Sequence, residues 1–524
     1  MAYVGNKAKI PLGEFGLLTD IAADKAPPNS LIHAKNIQFV NGMIQKASGA
    51  LKWNASALPS PIVGCYEWRP DVNTKRMVVL TANGSCYKGM DRQFGTAIAT
   101  GIGELTPNCT FASGGNETSS RDKKLFIFTA GASLPKVLTG DGTQLTNISL
   151  PSADWTQTNR PKCGLIHRNR LWAFAGHVAY ASDTGNHENF TSNFLAEPVY
   201  AGEGGEILGA FVFKGRMFVF KSEGLVYYLD DSSMDDSEWR FNRVDSVSGL
   251  AAPNGIAEGV NNMYFGNITG TITDFAASDK LGGTEAGDLV QNALFESHLR
   301  GNASKVGVTQ QHLHYYAEKK MLFATYRSAY YTYNDMLIVL DFSRLDQVRV
   351  AYWIKGSPQC LGKYKDVNNI DRPMYGNKDG FLMLMDHEDR LEAEVAYAGE
   401  FQTHHLDFSY LGEGMAASEK HFDHLAVHYA PESTGNLFCD YYVDGRYVDT
   451  INFEMVQYDG AKLGSMVLGT NRLAQPNTET CVRPLSGSGR TFSAKFYNSG
   501  SNQSFQISAI TVFFRGGGEK AQQE

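Results

Sequence analysis

One hairpin signature recurs along this chain and limits what it can fold into. It reads as a polar or basic residue, Leu or Met, aromatic or β-branched residues, a turn, and a second short strand. The copies are KRMVVLTANGSCYKG from Lys75, KKLFIFTAGASLPKVL from Lys123, NRLWAFAGHVAYASD from Asn169, GRMFVFKSEGLVYYLD from Gly215 and NNMYFGNITGTITDF from Asn261. Two looser copies begin at Lys320 and Arg372. The shared apolar positions are Met77, Leu125, Leu171, Met217, Met263, Met321 and Met374, separated by 48, 46, 46, 46, 58 and 53 residues. A period of roughly 40–50 residues with paired strands is that of a β-propeller blade. A lone hairpin cannot bury both faces, whereas blades stacked around an axis cover one another and protect most strand edges. The spacing predicts six or seven blades in a β-propeller-like domain over residues 55–397. Unrelated hairpins in large sandwiches are the competing arrangement.

Beyond residue 398 the pattern changes. Strand-like runs occur at Phe401–Tyr410, Phe422–Tyr429, Asn436–Val443, Arg446–Met455, Thr491–Tyr497 and Ser504–Phe514, with Asp444-Gly445 as a tight hairpin turn. Six such runs without helix signals predict a β-sandwich over 398–516. Residues 1–54 read as an N-terminal arm followed by a hairpin turning at Asn41-Gly42, and residues 517–524 as a flexible tail. The 53 glycines and 12% aromatic content fit an all-β chain, and 43% hydrophobic residues suffice for a full core.

Charge and cysteine usage narrow the function classes. With 47 Lys and Arg against 55 Asp and Glu, the formal charge is −8, a poor composition for gripping DNA. The seven cysteines, at 65, 86, 109, 163, 360, 439 and 481, form no Cys-x-x-Cys pair, and their number is odd. Free thiols from a reducing cytoplasm are the simplest expectation. The N-terminus lacks the apolar stretch of a signal peptide, and no apolar run is long enough for a membrane-spanning helix. The expectation is therefore synthesis in a cytoplasm without stable membrane insertion.

Motifs that carry chemistry are sparse. The sequence contains no Walker loop, no Gly-x-Ser-x-Gly elbow and no His-Glu-x-x-His. His421, His424 and His428 lie close in sequence, and His424 and His428 share a strand face. A metal centre needs three or four convergent ligands, so a polar solvent face is the simpler reading. His312 and His314 also share a face but lack an evident acidic partner, and His404 and His405 point to opposite faces. Asp183, Asp230, Asp274, Asp341 and Asp386 close hairpins, where an Asp side chain caps the following turn. The first four carry the alternative of a propeller-type glycan-processing enzyme, with one carboxylate as acid and another as nucleophile or base. Tyr227-Tyr228, Tyr315-Tyr316 and Tyr330-Tyr331 could stack on sugars. In alternating strands, however, one of each pair faces the core. No catalytic, cofactor-binding or metal-binding residue is assigned, and no cofactor is expected.

Three stretches together resemble a known family. They are GLIHRNRLWAFAGHVAYASDTGNHENF from Gly164, EILGAFVFKGRMFVFKSEGLVYYL from Glu206, and DSVSGLAAPNGIAEGVNNMYFGN from Asp245. In order and spacing they are similar to the tail nozzle, or tail hub, proteins of short-tailed phages, also called packaged-DNA stabilisation proteins. Ser182-Asp183 stands at the end of that family's Arg-Leu hairpin, and Asn36–Lys46 resembles an N-terminal segment. Ala47-Ser48 replaces the Arg-Pro common there. The resemblance covers about Gly164–Phe275 well and the rest by architecture. It implies a structural virion protein: a homo-hexameric ring at the tail tip, attached to an adaptor ring on the portal side. Such a ring would contact fibres, spikes or a needle, touch genomic DNA transiently, help retain packaged DNA and allow its ejection. A cytoplasmic protein-binding propeller scaffold is the other alternative.

Overall fold

The computed structural model describes residues 5–22, 26–71, 73–114, 124–139, 142–148, 154–244, 249–260, 262–277, 284–288, 307–344, 347–387, 390–412, 414–430, 435–455, 479–500 and 503–516. The expected flexible tail, 517–524, lies outside them. Three 3-10 turns are the only helical elements among the described residues, and the rest of the regular structure is strand.

The seven signature positions fall where a blade needs them. Met77, Leu125, Leu171, Met217, Met263, Met321 and Met374 each lie in the second strand of a four-stranded antiparallel unit, and all are buried. Those second strands are Arg76–Thr81, Lys124–Phe128, Arg170–Ala175, Arg216–Lys221, Met263–Gly266, Met321–Tyr326 and Asp371–Asn377, which number blades 1 to 7. Blades 1 to 5 are separate sheets, each built from one continuous segment. The count lies within the six or seven expected from the spacing.

Alternation along each second strand explains why it is apolar throughout. In blade 3, Leu171, Ala173 and Ala175 pack towards blade 2, with Phe126, Phe128 and Trp155. Trp172 and Phe174 point the other way, towards Met217, Val219 and Tyr227 of blade 4. The same two-sided burial recurs around the ring, so apolar clusters fill the spaces between neighbouring blades. The last of these joins Cys360, Met374 and Leu382 of blade 7 to Ile62, Cys65 and Val79 of blade 1 and closes the circle.

Closure uses a strand from far away in sequence. Blade 7 supplies Pro358–Lys365, Asp371–Asn377 and Leu382–His387, and Gly49–Lys52 completes it as the fourth strand. Ala50 pairs with Met385 and Leu51 with Leu384. Blade 6 is different again. Its outermost strand, Arg349–Trp353, continues through Leu31–Lys35 into Gly399–Thr403, Phe492–Asn498, Gly435–Val443 and Arg446–Met455, giving one nine-stranded sheet. A second sheet, of Ile37–Val40, Met43–Lys46, Gln506–Gly516, Lys420–Tyr429 and Glu479–Pro484, shares a core with it. That core is aromatic, with Phe401, Phe422, Tyr441, Phe492, Phe496 and Phe514 all buried.

The described part of residues 1–54 is thus not a separate arm. Asn6–Pro11 pairs along its whole length with Gln506–Gly516. Leu31–Lys35 lies inside the nine-stranded sheet, and Gly49–Lys52 belongs to the propeller. The expected hairpin is present, with Val40 opposite Met43 and both Asn41 and Gly42 at positive φ. The two-sheet unit therefore combines chain from both ends. Of the expected Phe401–Tyr410 strand, only the beginning is extended: Gly399–Thr403 is strand, and Ser409–Leu411 is a 3-10 turn.

Candidate functional site

The first strands of the blades surround an axial cavity of about 380 Å³, whose lining includes Phe111, Ile166, Phe211, Leu313 and Leu361. One mouth is bridged by residues that precede these strands. His312, before blade 6, reaches across to the Pro107 carbonyl before blade 2. The Leu361 N–H donates to His312 Nδ1 at 3.2 Å, so the proton of the neutral ring sits on Nε2 and points at Pro107. Asn254, before blade 5, donates to Pro107 O at 3.2 Å and to Cys109 O at 2.8 Å. The bridge ties blades 2, 5, 6 and 7 together over the axis. Burial pushes the His312 imidazole down to about 4, so it stays uncharged at neutral pH. A cavity of this size has no room for a nucleic-acid duplex.

A second polar cluster lies between blades 6 and 7, beside a cleft of about 400 Å³ that includes Gln38, Asn41, Lys320, Asp386, His387 and Arg390 in its lining. The Arg372 guanidinium donates to Tyr316 Oη at 2.7 Å and lies within 3.2 Å of Glu318, Asp366 and Asp386. Tyr316 donates in turn to Glu318 and Asp386, at 2.8 and 3.0 Å. Burial and the neighbouring Asp386 charge hold this phenol far above its usual range. The cluster's visible role is to join the two blades.

The carboxylates considered for glycan hydrolysis do not converge. Asp230, Asp274 and Asp341 lie on the third strands of three different blades, and Asp183 just follows another. Each has a local engagement. Asp183 is held through its backbone, which bridges to Asn186, whereas the Asp230 carboxylate accepts from Ser232 Oγ at 2.8 Å and that of Asp274 from Asn262 at 3.0 Å. Asp341 is buried against Arg349 at 3.0 Å, and Arg349 also donates to Ser343 Oγ at 2.6 Å and Gly13 O at 2.5 Å. The histidines are equally dispersed in role. His428 bonds Thr480 and Thr511, His421 bonds Ser488, and buried His404 meets the Leu18 carbonyl.

No known family profile and no curated protein matches the chain. Among solved structures, it is similar to the computationally designed Ika8 protein, with 12% identity and a TM-score of 0.35, over 65% of this chain and 99% of that one. It is also similar to BBS1N, solved in complex with ARL6DN, with 8% identity and a TM-score of 0.40, over 65% of this chain and 98% of that one. Neither likeness bears on activity or partners.

One surface feature escapes the strand-alternation argument. Tyr227 and Tyr316 are buried as expected for one member of each pair, but Tyr330 and Tyr331 are 86% and 48% exposed. They sit on the turn between Met321–Tyr326 and Met336–Asp341, not on a strand. Tyr331 leans on Tyr333, with ring centroids 5.1 Å apart, and Lys378 lies over Tyr333. Only the breaker residues around this loop, Ser328 before the tyrosines and Asn334-Asp335 after them, could have marked it in the sequence.

Proposed function

We propose that this chain is a non-enzymatic structural protein of a virion, one subunit of a hexameric nozzle ring at the tip of a short phage tail. The observation that carries the reading is the match between resemblance and architecture. The segment that resembles nozzle proteins, Gly164–Phe275, lies wholly within the propeller, from the first strand of blade 3 through blade 4 to the third strand of blade 5. The joint between the propeller and the two-sheet unit, where Leu31–Lys35 meets Arg349–Trp353 within one nine-stranded sheet, also suits a load-bearing subunit. On this reading DNA passes through the axis of the ring, between subunits, and not through the bridged axis of each propeller. The exposed tyrosine loop gives the protein-binding scaffold reading some support, and such a loop equally suits contact with a neighbouring tail protein.

The test is electron microscopy of the purified chain, alone and with the particles that contain it. Six-fold rings at the tail tip are expected. Particles that lack the chain, or a ring of another symmetry, overturn the reading. A conduit should also guide a polyanion without gripping it. Filter binding to duplex DNA at about 150 mM salt should be no tighter than the non-specific range, ~10⁻⁴ to 10⁻⁶ M. Submicromolar binding contradicts a passive conduit.

A further inference from the structure

Blades 1 and 7 approach each other more closely than side chains at every position would permit. A Cβ on Gly362 of blade 7 would stand 2.9 Å from Cys65 Sγ and 3.0 Å from Cys65 O of blade 1. One on Gly376 would stand 2.4 Å from Ile62 Cγ2 and 2.7 Å from Ile62 O. Glycine at both places brings the two cysteines together. Cys65, on Ile62–Trp68, and Cys360, on Pro358–Lys365, are both buried, and their sulfurs are 3.7 Å apart. Each strand also carries a register irregularity next to its cysteine, between Ile62 and Gly64 and between Pro358 and Cys360. Such bulges give the backbone slack.

We propose that Cys65 and Cys360 are a latent disulfide that bolts the first blade to the last when the protein meets an oxidant of the peroxide class. A disulfide needs sulfurs about 2.05 Å apart, so they must close by about 1.7 Å. Hydrogen peroxide transfers one oxygen to one of the two sulfurs, giving a sulfenic acid and water. The partner thiol then attacks that sulfur, the S–O bond breaks, and the departing hydroxide leaves as water with the thiol's proton. Two thiols are oxidised, one peroxide is reduced, and two waters form. The hydrogen bond to Cys360, followed by burial, holds the Cys65 thiol well above its ordinary range, which makes the pair slow to react in the closed ring. Oxidation therefore proceeds through openings of the seam, and the bond once formed prevents further opening. The proposal does not rest on the virion reading, because the bond is read directly whatever the ring carries.

The test uses the full-length native protein. It is treated with hydrogen peroxide, alkylated to trap remaining thiols and digested without reduction. Mass spectrometry should find the Cys65 and Cys360 peptides linked, with two of the seven thiols lost to alkylation. On a non-reducing denaturing gel the oxidised chain should run faster, since the link closes a loop spanning 295 residues, and reduction should restore its mobility. Its unfolding midpoint in denaturant should rise. Cys65→Ala and Cys360→Ala should each abolish the shift, and Cys439→Ala should keep it. Cys109, which is close to the same seam, is the rival partner. A link from Cys109, linkage only in denatured protein, or seven alkylatable thiols after treatment overturns the proposal.

Discussion

Blades 1 to 5 and the remainder of the molecule are built from the same kind of strand, yet their chain connectivity is opposite. Each of the first five blades pairs strands that follow one another in sequence. Blade 7 and the two-sheet unit, which blade 6 adjoins, are completed by strands from the other end of the chain: Leu31–Lys35 beside Gly399–Thr403, Gly49–Lys52 beside Leu382–His387, and Asn6–Pro11 beside Gln506–Gly516. Local pairing makes a modular array, whereas distant pairing makes a closed body in which the loss of one strand is felt in both units.

The largest expected effect follows from that contrast. Ala50 lies in a strand flanked on both sides, by Leu382–His387 and by Leu391–Glu392. Ala196 lies in the edge strand of blade 3. Ala50→Pro should cost more than about 4 kcal/mol and abolish a single cooperative transition, and Ala196→Pro less than about 1 kcal/mol. Similar losses for the two, read in urea by circular dichroism, would show that closure contributes little.

Next in size is the buried pair Asp341–Arg349, with both side chains 2% exposed. Asp341→Ala leaves Arg349 buried without its carboxylate and should cost ~3–5 kcal/mol. Asp230→Asn, on the exposed end of a blade 4 strand, should stay within about 0.5 kcal/mol. Neither should alter any glycan-degrading activity. An activity lost in Asp230→Asn with folding intact would favour the enzyme alternative.

The smallest effect is acid sensitivity at the axial bridge. Burial depresses the folded-state His312 to about 4 from an ordinary value of 6.5. Its contribution is therefore complete above pH 6.5 and is lost as pH falls towards 4, because the unfolded chain takes up the proton first. The loss amounts to about 3 kcal/mol at most. His314, also pushed down to about 4 by burial, titrates in the same window. Denaturant melts between pH 4 and 7 should show a shallower fall in His312→Gln than in the parent, and an unchanged slope would remove His312 from the account.

The sequence revealed what is periodic and local. Met77, Leu125, Leu171, Met217, Met263, Met321 and Met374 mark the second strand of each blade because that strand is apolar on both faces, which leaves a run too uniform to miss. Asn41-Gly42 and Asp444-Gly445 mark their turns because both need positive φ. Leu31–Lys35 and Gly49–Lys52 were illegible as sheet-joining strands. Four or five residues carry no information about a partner hundreds of positions away. Glu479–Pro484 was missed because its buried and exposed faces differ little, with Val482 exposed. The axial bridge was equally hidden: His312, Asn254 and Pro107 meet only because three blade entries converge on one axis.

The strand Gly49–Lys52 also sets a clock. It leaves a ribosome more than three hundred residues ahead of its partner, Leu382–His387. At translation rates of 5–20 residues per second, that strand waits roughly 15–65 s without its partner. Throughout this interval five complete blades can form behind it while the ring stays open, with the blade 1 face that will meet blade 7 uncovered. Closure is thus a late event in the life of each molecule, and a chain interrupted before residue 382 exposes an apolar sheet face of the kind that chaperones hold and that aggregation captures.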